Sequence, residues 1–288
     1  MSNNTNKWLI FLDSLFKNTQ KNPKIVIPYK PEVEPNKPIN DSTEIIKNET
    51  KNMWEDLKPL DLSKIETVNF SEDEYYKEEY IKKQIVIHHT ISGNGVEGDI
   101  RSWEDDPARV ATCIIIDRDG IPWQLFSSKY WAYHLGVGIK NLERHSIGVE
   151  LDNWGWFIPG DNTTKQFGKN ADGSPKFVYT VKGKYYTYYG NSVTVPMQFY
   201  ETAFRGYHYY EKYTEKQIRT LGELLLYWRL KYNIPLTYNS DMWDVSPRAL
   251  NGDAGVWTHV SYRPMPEKSD AHPQPELIEM LKTLDKIK

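Results

Sequence analysis

Cysteine is almost absent: Cys113 stands alone among 288 residues, which excludes an internal disulfide and a thiolate metal cluster. Long apolar runs are missing too, and none approaches the ~20 residues that a membrane span requires. The first candidate, "WLIFLDSLF" at residues 8–16, is broken by Asp13 and lacks both a basic leader and a small-residue cleavage site, so it does not read as a signal peptide. Its apolar residues fall at helical spacing, and a short amphipathic docking helix is the simpler expectation. Charge of one sign is also missing. Lys and Arg number 36 against 39 Asp and Glu, for a net charge of -3 and a pI near 6.2. Without a basic field, nucleic acid is not an expected partner.

What remains is a chain of 33.8 kDa with 39% hydrophobic residues, enough for a buried core in a soluble globular protein. Tyr (20) and Trp (10) are plentiful, and their flat amphipathic rings suit either a core or the gripping of sugars and peptides. Residues 21–52 are rich in Lys, Pro, Asn and Glu and read as an extended arm. An arm over residues 1–62 and a compact domain over 63–288 is the expected division.

Within that domain "QIVIHH", "ATCIIIDRDGIPWQLF" and "HSIGVELDNW" are short, β-branched and apolar, and the second breaks at the hairpin signal Asp119-Gly120. Strands apolar at every position belong in the middle of a sheet covered on both faces. A polar, Gly- and Tyr-rich insertion spans about 155–213, where "KFVYTVKGKYYTYYG" predicts a hairpin turning at Lys182-Gly183. A helix then follows, opened by a Thr214/Gln217 capping box and stopped before Pro235, and "ELIEMLKTLDKIK" predicts another. No internal repeat is visible.

Only seven histidines occur, and two adjoin at the end of "QIVIHH". Neighbours on a strand point to opposite faces, so one of His88 and His89 works at a site while the other packs. His259 ends a second apolar segment, "GVWTH", and the loop after it carries Lys268, Asp270 and His272. Two imidazoles and a carboxylate, with a fourth position left for water, are a recurrent set for catalytic zinc.

These segments resemble the zinc-dependent type 2 N-acetylmuramoyl-L-alanine amidases, related to peptidoglycan recognition proteins. "IVIHHT" looks like the first-ligand strand, "VATCIIIDRDG" the hairpin, "WAYHLGVG" the cleft segment, "HSIGVEL" the glutamate strand, and "GVWTH" with "EKSD" the last ligands. The resemblance covers about residues 81–284 apart from the insertion. It implies an α/β fold with a central mixed β-sheet flanked by helices, and an extended N-terminal arm outside it. It further implies that Zn2+ is held by His88, His259 and Asp270. Glu150 would be the base that activates water, and Lys268 would stabilise the oxyanion. Trp131 and His134 become candidate substrate contacts, with His89 beside them on the opposite face of its strand, packing or hydrogen bonding.

The chain departs from the family in reading "EKSDAHPQP", one residue longer after His259, which leaves His272 open as a rival to Asp270. Thr112 stands where some members carry a catalytic tyrosine. The expected substrate is peptidoglycan, cut between N-acetylmuramic acid and L-alanine. A muropeptide-binding module without catalysis and a zinc peptidase acting in the stem are the alternatives. Without a signal peptide, the chain would reach the wall as a phage endolysin or a secreted effector, and its arm would contact a protein partner.

Overall fold

Six strands build the main sheet in a computed structural model that describes residues 52–93 and 95–287. They are β1 (Glu66–Thr67), β2 (Gln84–His89), β3 (Ile114–Ile116), β4 (Pro122–Gln124), β5 (Ser146–Leu151) and β6 (Gly255–Thr258). Their order is β1-β4-β3-β5-β2-β6. Only β3 and β4 pair antiparallel, through the turn at Asp119-Gly120, so the sheet is mixed as expected. Asp117 shapes that turn by accepting the backbone N–H of Asp119 and of Ile121, each at 2.9 Å. Every residue of β2 and β5 is buried, as their unbroken apolar reading requires of central strands.

The helices are α1 (Val96–Glu104), α2 (Lys140–His145), α3 (Glu215–Tyr232), α4 (Pro247–Leu250) and α5 (Pro275–Asp285). The capping box at Thr214 and Gln217 opens α3, and Asn233 in the left-handed region closes it. Ile218, Leu221, Leu225 and Trp228 share one buried stripe of α3, and Leu277, Met280, Leu281 and Leu284 supply that of α5. Gly222 sits where the two helices pack: a Cβ there would come within 3.1 Å of Met280 Sδ and 2.8 Å of Leu57 Cδ1. Trp54, Leu57 and Leu60 join this core, so packed chain begins ahead of residue 63. The amphipathic segment at 8–16 and the arm up to residue 51 lie outside the described residues.

The segment at 155–213 forms a second, five-stranded sheet from strands Trp156–Pro159, Tyr185–Tyr186, Ser192–Val193, Met197–Phe204 and Tyr207–Glu211. The hairpin expected across Lys182-Gly183 does not form. The turn is there, with Gly183 at φ 85°, but Pro175–Tyr179 pairs back onto Thr164–Lys169 and Tyr185–Tyr186 pairs with Trp156–Pro159. Asp172-Gly173 supplies the competing turn, with Asp172 accepting Ser174 N–H at 2.9 Å, so two turns lay claim to one strand.

Candidate active site

His88 lies opposite Glu150 across the parallel β2–β5 pair. Side chains two residues apart share a face, so His88 stands on the side of Ser146, Gly148 and Glu150, while His89 shares the other side with Leu151. Thr258 of β6 pairs with Ile87, and His259 follows at once as the first residue of a 3-10 turn, His259–Ser261. Val260 N–H donates to Asp270 O at 2.9 Å, which ties the next loop to that turn. Three side chains far apart in sequence are thereby brought together. His88 Nδ1 lies 2.9 Å from His259 Nδ1 and 3.3 Å from Asp270 Oδ2, and His259 Nδ1 lies 2.9 Å from Asp270 Oδ2.

The donor set fits a divalent cation. His259 Nε2 faces Leu135 O at 3.1 Å, and a carbonyl only accepts, so the hydrogen sits on Nε2 and the Nδ1 lone pair points into the pocket. Burial pushes His259 down to about 3 and lowers His88 as well, leaving both imidazoles neutral. Burial raises Asp270, but the positive charge of Lys268 helps hold the carboxyl well below its usual range. Lone pairs and a carboxylate this close repel one another unless a cation stands among them, and Asp270 Oδ1 is buried with no partner. Tetrahedral zinc with ligands at 2.0–2.1 Å sets its donors about 3.3 Å apart. His88, His259 and Asp270 also form the one buried His/Asp group among the described residues with metal-holding spacing.

Glu150 and Lys268 border the same cavity. Glu150 is 8% exposed and its Oε2 has no partner. Burial, then repulsion from Asp270 and Asp99, pushes its carboxyl well above the usual range. Asp99 is a wall residue with no reading in the sequence. With Ser102 and Trp103 it makes an i, i+3, i+4 face of α1 toward the cavity, a helical spacing that was there to be found. Burial lifts Asp99 to about 7, so between pH 4 and 7 the unfolded chain loses a proton that the folded chain keeps. Stability therefore falls as pH rises through that window. Asp99→Asn should flatten this fall, read as Tm against pH.

The other expected site residues are placed differently. His134 borders the cavity, yet both ring nitrogens are taken: Nδ1 lies 3.0 Å from His88 Nε2 and Nε2 lies 2.7 Å from Ser146 Oγ. It backs His88 on the side away from the ligand atoms. Trp131 is 2% exposed and forms no part of the cavity wall, because it stacks on Tyr76 at 4.1 Å and donates to Glu78. His89 borders the cavity, but its Nδ1 is 2.8 Å from Tyr213 Oη on the far face. His272, the rival ligand, is held away with Nδ1 at Tyr200 Oη and Nε2 at Glu211 O. Thr112 spends its hydroxyl on Ile114 O.

Gly148 makes room for this arrangement. A Cβ there would lie 2.7 Å from Thr112 Cγ2 and 3.1 Å from His134 Cγ and Nδ1. Gly148→Ala should displace His134, and through it His88. A misplacement of that kind costs about 10²-fold in rate, which turnover at saturating zinc would measure.

The family described as N-acetylmuramoyl-L-alanine amidase matches residues 78–274. The chain is similar to PlyL, at 14% identity over 76% of this chain and 96% of that one, with a TM-score of 0.42. It is likewise similar to the endolysin amidase LysCS of Clostridium intestinale, at 14% identity over 73% and 87% with a TM-score of 0.38. The Staphylococcus aureus hydrolase AmiA gives 13% identity over 80% and 86% with a TM-score of 0.39. No curated protein matches the chain. A match running from ahead of the His88 strand to just past Asp270, over most of the chain, places the protein in the type 2 N-acetylmuramoyl-L-alanine amidase family.

Proposed function

We propose that the chain hydrolyses the amide bond between N-acetylmuramic acid and L-alanine of peptidoglycan, with a zinc ion held by His88, His259 and Asp270. The observation that carries this reading is the meeting of those three ligand atoms within 2.9–3.3 Å in a cavity that Glu150 also lines, its buried Oε2 without a partner. Zinc, when bound, supplies Lewis acidity toward water and the scissile carbonyl. Glu150 takes the proton of the attacking water and passes it to the leaving amine, a role suited to a carboxyl whose burial raises its affinity for protons. Lys268, at the cavity rim, places positive charge where the tetrahedral oxygen gathers negative charge. Tyr189, from the segment at 155–213, borders the cavity and walls one side of the cleft.

Such an enzyme is lytic toward the bacterial wall, as an endolysin or a delivered effector, with the stretch ahead of residue 52 as a protein-docking arm. No helix among the described residues is long and apolar enough to cross a membrane. Purified protein with zinc should clear sacculi and release new L-alanine amino termini without new reducing ends. New reducing ends would make it a glycosidase, and shortened stem peptides left on the glycan would make it a peptidase. Sacculus binding without cleavage and without about one zinc per chain would make it a binding module.

A further inference from the structure

Residues 134–136 lie directly behind the metal pocket, and one buried carboxylate holds all three. Glu143, on α2 and 1% exposed, accepts the backbone N–H of His134 at 2.9 Å, of Leu135 at 3.1 Å and of Gly136 at 3.2 Å. The pinned segment supports both histidines of the pocket. Leu135 O receives His259 Nε2–H at 3.1 Å, and the His134 ring reaches His88 Nε2 at 3.0 Å.

The hydrogens along the second contact follow from its far end. Ser146 Oγ–H donates to Glu143 O at 3.2 Å, so toward His134 Nε2, 2.7 Å away, the serine oxygen accepts. His134 therefore carries its hydrogen on Nε2 and turns a bare Nδ1 to His88. His88 in turn must carry its hydrogen on Nε2, which leaves Nδ1 bare on the side of His259 and Asp270. Both chains of contact end on carbonyl oxygens, which cannot donate. Neither can be reversed without stranding a buried group at a cost of about 1–3 kcal/mol.

We propose that Glu143, Ser146 and His134 form a positioning device that fixes His88 and His259 in the one tautomer able to offer Nδ1 to a cation. None of the three touches the pocket's ligand atoms: His134 acts on His88 directly, Ser146 acts through His134, and Glu143 acts through the segment that carries His134 and Leu135 O. The device rests on the metal reading for its purpose, but the tautomers can be read without any metal.

The test uses the full-length chain with nitrogen-15-labelled histidine, and zinc as the probe. In metal-free protein the ring nitrogen shifts of His88, His134 and His259 should report hydrogen on Nε2 in all three. Ser146→Ala should populate His88 with hydrogen on Nδ1 and weaken zinc binding, measured by chelator competition, by about 10- to 100-fold. Ser146→Thr, which keeps the hydroxyl, should restore both readings. Glu143→Gln, tested in parallel in case the serine variant misfolds, should weaken zinc binding in the same direction. Hydrogen on Nδ1 of His88 in the wild type would overturn the proposal, as would a folded Ser146→Ala protein binding zinc within twofold of wild type. A wild type whose histidines show the expected tautomers but that binds no zinc would overturn the metal reading instead.

Discussion

Glu150→Gln should lower amide hydrolysis by about 10² to 10⁴-fold while zinc binding stays near that of the wild type. Glutamine keeps the shape and packing of the side chain on β5, opposite His88, but it cannot take a proton from water. A glutamate that served only the fold would behave in the reverse way. Glu150 forms no ion pair among the described residues, and its buried Oε2 has no partner. Its charge is therefore a cost to the folded state. The sign follows from the raised carboxyl: below the unfolded value both states hold the proton, and above it only the folded state does. Metal-free protein loses stability as pH rises through that window, and Glu150→Gln removes the share of the loss that Glu150 causes, leaving that of Asp99. The variant should gain Tm at neutral pH, at roughly 2–4 °C per kcal/mol, and gain nothing in acid. Activity and stability moving in opposite directions would mark a catalytic group. An unchanged rate measured on sacculi would place the base elsewhere.

How much of this was legible depended on whether a pattern lies within one element or between two. The period of two in "QIVIHH" and "HSIGVEL" fixes that His88 and His89 part ways and that Ser146, Gly148 and Glu150 share a face. The capping box of α3 and the Asp119-Gly120 turn are equally local, and both form. "WAYHLG" has no such period. Outside a regular element nothing in the string says that Trp131 turns to Tyr76 while His134 turns to His88. The two turns at Asp172-Gly173 and Lys182-Gly183 compete for one strand, and the choice depends on pairing with Thr164–Lys169. Asp270 and His272 differ by two positions in a Pro-rich loop. Only the bond from Val260 N–H to Asp270 O, together with the seat that Tyr200 and Glu211 give His272, separates ligand from packing residue. Glu143 escaped notice for a related reason: its partners are backbone N–H groups, which leave no mark in a sequence.

His259→Ala should abolish zinc binding and lower activity by more than the roughly 10² to 10⁴-fold expected of a proton-transfer group. Its clearest signature is thermal. A ligand that binds only the folded state at 100 times its Kd adds about 2.7 kcal/mol, so wild-type Tm should climb with zinc and that of His259→Ala should not. Without zinc, the variant gives up the hydrogen bond to Leu135 O, worth about 1 kcal/mol, but also relieves the crowding of lone pairs against His88 and Asp270. The relief of that crowding partly offsets the cavity that truncation leaves, so the metal-free Tm of the variant should fall less than that of His272→Ala. His272→Ala is the matched control, because it removes an imidazole from the same stretch of chain. Its ring is fully buried, bonded through both nitrogens and stacked on Tyr213 at 4.3 Å, so its loss should cost about 2–5 kcal/mol of stability through a cavity and two stranded partners. Zinc should still raise the Tm of His272→Ala by the wild-type increment. Loss of that increment in His272→Ala, with retention in Asp270→Ala, would exchange the two residues and move the pocket to the other side of β2.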